Sequence, residues 1–153
     1  MILISNRQSS QEIAEAKIRK AAKAILNALA CHDGELSIVL VDDAEIAVLN
    51  KDYLNREGPT NVISFPMQDD SDSQTPVWKP AEDMQKLLGD VVISLDTTQR
   101  EAGEMGISTQ ERFMELLVHG ILHLFGYDHE NDDEQAAQME ARSREMLGMI
   151  SGG

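Results

Sequence analysis

The sequence predicts an α/β (α+β-like) fold: a single domain, residues 1–153, in which a mixed sheet of about four strands is packed by five helices. Three observations predict it. Strand-like apolar runs and helical patterns follow one another in the order β-α-β-α-β-β-α-α-α, with no repeat and no obvious linker. The strand runs near 61–65 and 88–94 are consecutive, so at least one pairing is antiparallel and the sheet is mixed. The stretch Leu116–Phe125 is apolar on nearly every helical face, and a helix of that kind packs centrally.

Ile2 to Ile4 is a short apolar run of strand type. Ser9 or Ser10 can cap a helix with Glu12 in its first turn. This helix runs to about Ala30 because Ile13, Ile18, Ala21, Ile25, Leu26 and Leu29 recur at helical spacing. His32-Asp33-Gly34 has turn composition, and Glu35 to Val41 reads as a largely buried strand. Asp42 or Asp43 caps a second helix to about Leu54, with Ile46, Leu49 and Tyr53 expected inward. Glu57-Gly58-Pro59-Thr60 turns the chain into a strand over Asn61 to Phe65, closed by Pro66.

From Met67 to about Asp83 the chain is polar and acidic, contains Pro76 and Pro80, and has Trp78 as its one large apolar anchor. A connection of that length serves as a loop or a functional flap. Leu87 to Ser94 is a near-continuous apolar strand, and Asp96 to Glu104 a helix broken by Gly106. Ser108 or Thr109 caps the next helix, which carries His119 and His123. A final amphipathic helix turns Met139, Met146 and Leu147 inward, as core filler rather than ligands.

A chain of 153 residues, 42% hydrophobic, can bury a real core in one domain. No apolar run approaches the ~18 residues of a membrane span, and no secretory signal is expected at the start. Cys31 is the single cysteine, so no intramolecular disulfide forms, which fits a cytoplasmic location. At the end of a helical pattern it reads as a small buried hydrophobe. The net charge of −14, from 27 acidic and 13 basic residues, argues against a broadly basic nucleic-acid platform. Four of the basic residues, Lys17, Arg19, Lys20 and Lys23, nevertheless fall within one early helix. The ordinary reading of such a group is a solvated face.

The informative stretch is His119-Gly-Ile-Leu-His123-Leu-Phe-Gly126-Tyr-Asp-His129, which holds three of the four histidines. Residues at i and i+4 share a helix face, with Cβ atoms about 5–6 Å apart, so both imidazoles can reach one ion. Gly126 suits the left-handed residue that ends many helices, letting the chain turn and bring His129 back. Three neutral imidazoles with one open position is the donor set of a catalytic zinc, whereas structural sites are closed and favour cysteine. The alternative, hydrogen-bonded core histidines, has to place polar groups in an apolar helix.

The spacing is that of the metzincin proteases, but their general base, a Glu directly after the first His, is here Gly120. Peptide hydrolysis by that route is not expected. Zinc can still acidify a water to a pKa of about 7 or polarise a phosphoryl oxygen. Glu115, one turn before His119, is a candidate acceptor for an imidazole N–H, and otherwise faces solvent. Asp128 and Glu130 flank His129 and read as a solvated acidic loop.

These eleven residues resemble the H-G-x-L-H-L-x-G-Y-D-H signature of the YbeY family of bacterial endoribonucleases. Leu49-Asn50-Lys51-Asp52-Tyr53 leading into Pro59-Thr60-Asn61-Val62-Ile63-Ser64-Phe65-Pro66 resembles a second block of that family. Leu88-Gly89-Asp90-Val91-Val92-Ile93-Ser94 resembles a third, and the match runs in order over roughly residues 36–147. The resemblance implies a zinc-dependent single-strand endoribonuclease of 16S rRNA 3′-end maturation and ribosome quality control. It implies one zinc ion on His119, His123 and His129, single-stranded rRNA as substrate, the ribosome or its small subunit as partner, and no membrane. The family's catalytic Arg after the Tyr of the second block is replaced here by Leu54; Arg56, two residues on, is the guanidinium available for that role. Asn61 stands where the family often has Asp. Either the 2′-hydroxyl or a water fits as nucleophile. Two other readings are a metal-dependent hydrolase of another substrate and a non-catalytic ribosome assembly factor with a structural zinc.

Overall fold

The computed structural model describes residues 2–8, 14–29, 31, 34–66, 87–125 and 133–151. Its centre is set by alternation in β2 (Glu35–Val41), where Leu36, Ile38 and Leu40 point to one face with no exposure. β4 (Leu87–Ser94) runs parallel beside it, pairing Ile38 with Val91 and Leu40 with Ile93. Val91, Val92 and Ile93 are all buried, because β4 is covered on both faces; that is why its sequence is apolar without alternation. Between Glu35 and Leu36 the register slips, so that Leu36 faces Gly89 after Glu35 has faced Leu87. Gly89 takes φ 131°, a conformation that side chains disfavour, and absorbs the extra residue as a bulge.

β1 (Ile2–Asn6) flanks β2 in parallel, and β3 (Val62–Pro66) flanks β4 antiparallel, giving the order β1-β2-β4-β3. The predicted mixed sheet of four strands is present. Pro66 is tolerated at the end of β3 because that strand is an edge.

Five helices lie among the described residues: α1 (Glu15–Ala28), α2 (Asp43–Leu54), α3 (Leu95–Met105), α4 (Thr109–Leu124) and α5 (Asp133–Ser151). Leu36, Ile38, Leu40, Val91 and Ile93 form a continuous core with Ile25 and Leu26 of α1, Leu117 and Ile121 of α4, and Met139 and Met146 of α5. The opposite face carries a smaller cluster, Val41, Ile63 and Val92 with Ile46 of α2. α4 is the central helix: it packs on β3, β4, α1, α3 and α5. Cys31 is buried, as expected of a small hydrophobe. Among the described residues no helix is long and apolar enough to cross a membrane.

Some boundaries and one orientation differ from expectation. α1 begins at Glu15, with Ala14 in the cap position and no side-chain cap; Ser9, Ser10, Glu12 and Ile13 lie outside the described residues. So do His32 and the connection from Met67 through Trp78 to Asp83. Tyr53, expected inward, is 67% exposed. Tyr53 sits in the last turn of α2, over a groove that it lines with Val39, Phe65, Asp90 and Val92 of the sheet. Its ring instead meets Phe65 edge-on at 5.2 Å.

β4 runs straight into α3, and the two halves of the fold are pinned there. Ser94 caps α3 by accepting from the Thr97 N–H, and its hydroxyl donates to the Asp43 carboxylate at 2.7 Å. Arg100 also donates to Asp43, at 3.1 Å, while the Asp43 N–H donates to Asp96 at 3.0 Å. Partial burial alone would raise the Asp43 pKa. Hydrogen bonds from Thr97, Ser94 and Arg100 outweigh it and hold the group below the ordinary aspartate value.

Candidate metal centre

Ser108 starts the helix that carries the motif, its hydroxyl accepting from the Glu111 N–H at 3.1 Å. Its apolar positions fix its rotation. Leu116, Leu117, Val118, Ile121 and Leu122 are buried, which leaves one stripe, Arg112, Glu115, His119 and His123, on a partly open face.

Gly120 shows how closely this helix lies on the sheet. A Cβ built there would stand 2.6 Å from Val91 Cγ1 and 3.1 Å from Val62 Cγ2. The residue in the metzincin base position thus points into the sheet interface, away from the histidine stripe; a Glu there has no room and no access to the chemistry. Ser64 of β3 adds a polar tie, donating from its hydroxyl to the Gly120 carbonyl at 2.8 Å.

With the helix so fixed, His119 and His123 converge. Their Nε2 atoms are 3.0 Å apart and the rings meet edge-on, with centroids at 4.5 Å. Nitrogens this close could both hold one ion. His123 lies in the last turn of α4, where the exposed carbonyl ends of the helix favour positive charge. The pair therefore fits a soft-to-borderline divalent cation held by neutral imidazoles. Among the described residues no third His, Cys, Asp or Glu joins them. His129, Asp128 and Glu130, the expected third ligand and its neighbours, lie outside the described residues.

Two turns before His119, Arg112 is clamped. Its guanidinium donates to Glu101 of α3 at 3.0 Å and to Glu115 at 2.8 Å, with the arginine side chain 20% exposed. Burial alone would lower its pKa; Glu115 and Glu101 more than offset this and raise it. Asn61 Nδ2 joins the cluster by donating to Glu101 at 3.2 Å, while its Oδ1 accepts from the Val62 N–H. Asn61 has thereby a role in holding β3 against α3.

The hydrogen bond the structure gives Glu115 is with Arg112, so this carboxylate is a strut of the stripe rather than the freely solvated side chain that was the alternative. Arg56 follows the left-handed Asn55 that ends α2, is exposed, and bonds through its backbone N–H to the Asn50 carbonyl at 3.2 Å. The sequence pointed to neither Arg112 nor Ser64. The i, i+3 spacing of Arg112 and Glu115 was a usable signal; the Glu101 and Gly120 contacts are long-range and had none.

Comparison with known proteins adds an independent line. The family described as endoribonuclease YbeY matches residues 3–151. A protein of Syntrophotalea carbinolica named endoribonuclease YbeY is 48% identical over 151 residues, covering 98% of this chain and 95% of its own. Namesakes from Geobacter metallireducens and Aquifex aeolicus are 44% and 40% identical, covering 97% and 92% of this chain and 95% and 87% of their own. In fold, the chain is similar to a solution structure from Thermotoga maritima at a TM-score of 0.66, 23% identity, and coverage of 99% of this chain and 90% of that one.

Proposed function

The chain belongs to the endoribonuclease YbeY family, and from that membership we propose that it is a zinc-dependent endonuclease of single-stranded rRNA. Its place is the maturation of the 16S 3′ end and ribosome quality control, in the cytoplasm, on the ribosome or its small subunit. The relatives' shared name supports an RNA-cleaving hydrolase. The observation that carries the metal reading is the convergence of His119 and His123 Nε2 atoms at 3.0 Å on a helix locked to the sheet.

The residues that would hold the ion are His119 and His123, with His129 as third ligand. Zinc bound there supplies Lewis acidity toward a phosphoryl oxygen and acidifies water. The rest falls to the chain. α4 keeps the imidazoles in register because Gly120 and Ser64 fix its distance from β3 and β4. Gly120 leaves the metzincin base position without an acid, which argues against peptide hydrolysis by that route; the phosphodiester substrate follows from the relatives' shared name. Attack on phosphorus by the 2′-hydroxyl or by water breaks a P–O bond to a ribose oxygen, which leaves as an alcohol on taking up a proton while the attacking O–H gives up its own. Arg56 serves as counter-charge, a guanidinium matching two phosphate oxygens at once.

The test is elemental analysis of the purified protein and of His123→Ala, with cleavage of a single-stranded rRNA fragment assayed on both. Zinc at one equivalent, lost in the variant together with cleavage, supports the reading. Undiminished cleavage by a zinc-free variant removes it.

A further inference from the structure

The chain carries 13 Lys and Arg against 27 Asp and Glu, and the pairing of those cations is uneven. Two, Lys79 and Lys86, lie outside the described residues. Of the other eleven, six sit in ion pairs: Arg7, Lys51, Arg100, Arg112, Arg142 and Arg144. The remaining five are Arg56 and the four cations of α1, Lys17, Arg19, Lys20 and Lys23, all exposed and without an ion pair among the described residues. In a chain so rich in carboxylates, four neighbouring cations on one helix without an ion pair among the described residues are a concentrated exception.

Their placement is ordered. α1 buries Ile18, Ala21, Ala22, Ile25 and Leu26, which turns the row Lys17, Lys20, Lys23 outward at three-residue spacing with Arg19 beside it. That row is about 9 Å long at the helical rise. The one acid of α1, Glu15, is at its start. None of the exposed large hydrophobic side chains of the described residues lies on α1. A protein partner draws its affinity from buried aromatic and apolar anchors; a face of cations alone suits a polyanion whose phosphates are neutralised one by one.

The position of α1 relative to the histidine helix completes the argument. Lys17 and Lys20 form one rim of a groove of about 820 Å³, floored by Met114 and Leu147, whose other wall carries Glu111 and Glu115 of α4. Glu115 is one turn from His119. Glu115 is already paired with Arg112, so along this groove phosphate is drawn to the cationic rim on α1, beside the helix of the imidazole pair.

We infer that the outward face of α1, through Lys17, Arg19, Lys20 and Lys23, is a docking track for the sugar-phosphate backbone of the RNA. This rests on the endoribonuclease reading and adds where the substrate is held. The track is independent of base sequence and confers affinity without taking part in bond cleavage.

The experiment is the salt dependence of binding of a single-stranded RNA oligonucleotide. It compares the wild-type protein, a variant with all four residues changed to Gln, and a variant with the three lysines changed to Arg. Each neutralised phosphate contributes about 0.7 to the log–log slope on single strands, so four contacts give about 2.8. Between 50 and 200 mM salt the wild type should lose about 50-fold more affinity than the Gln variant, and the Arg variant should behave as wild type. Cleavage at saturating RNA should be unchanged in the Gln variant, with KM raised. Equal slopes for wild type and Gln variant overturn the track while leaving the nuclease reading intact. A wild type that neither binds nor cuts RNA removes both. Loss of binding to a polyglutamate peptide, with RNA binding retained, would overturn the track in favour of an acidic protein partner.

Discussion

Replacing Gly120 with Ala is the sharpest probe of how the histidine helix is held. In an exposed helix the change would stabilise by about 1 kcal/mol, because alanine gains what glycine loses in backbone entropy. Here the new Cβ would lie 2.6 Å from Val91 Cγ1 and 3.1 Å from Val62 Cγ2. Carbon atoms settle about 3.5–4.0 Å apart, so the first contact is about 1 Å too short. Neither neighbour can swing away, because both are β-branched and belong to the sheet. Overpacking of this kind costs about 1–3 kcal/mol. Set against the helix gain, the expected net loss is about 0–2 kcal/mol. In urea, with an m value of about 2 kcal/mol/M, the midpoint should fall by up to about 1 M. Adding Val91→Ala should return part of the loss, giving a coupling of roughly 0.5–2 kcal/mol in a double-mutant cycle. Zinc affinity should fall as well, since the helix retreats with His119. A Gly120→Ala protein about 1 kcal/mol more stable than wild type would show that α4 does not lie on the sheet in this way.

The other predictions concern single contacts. Ser64→Ala removes the hydroxyl bond to the Gly120 carbonyl and should cost about 1 kcal/mol by chemical denaturation. Arg112→Ala leaves Glu101 and Glu115 facing each other without their cation; a loss of about 1–2 kcal/mol in the same assay is expected, discounted for partial exposure. The Asp43 carboxylate has a folded pKa below its ordinary value, so its contribution is complete above pH ~4 and is lost as pH falls through the folded pKa. Acid titration of stability should be shallower in Asp43→Asn than in wild type; superimposable curves would rule this out. Arg56→Ala should slow cleavage of single-stranded rRNA by about 10–100-fold with folding unchanged, the worth of a hydrogen bond to a charged phosphate.

Much of this fold was legible because the local signals and the packing agree. β2 alternates, β4 does not, and the difference tells which strand faces are covered. Two strand runs in succession required the antiparallel β3–β4 pair. Asp42 and Ser108 cap helices where short polar side chains precede periodic apolar runs, whereas Ser94, read as the end of a strand, also caps α3. Tyr53 lies on the expected face and meets Phe65 yet is exposed, because helical periodicity says which face a residue occupies and not how deeply it is covered. The start of α1 was misplaced because Ser9 and Ser10 resemble a cap, while the helix begins at Glu15 without one.

At the site, spacing alone brought His119 and His123 together, since i and i+4 is a local relation. The reason for glycine at 120 was not local. It lies in Val91 and Val62, which are distant in sequence and meet the helix only in the folded chain. The Arg112–Glu101 and Ser64–Gly120 contacts were invisible for the same cause.

The most direct measurement is rRNA cleavage by protein stripped of metal with a chelator and then titrated with zinc. Cleavage should vanish on stripping and return in proportion to zinc up to one equivalent, and His119→Ala and His123→Ala should not recover. Stripped protein that cuts at the full rate would contradict the zinc assignment, and the imidazole pair would then be a feature of the fold rather than of the reaction.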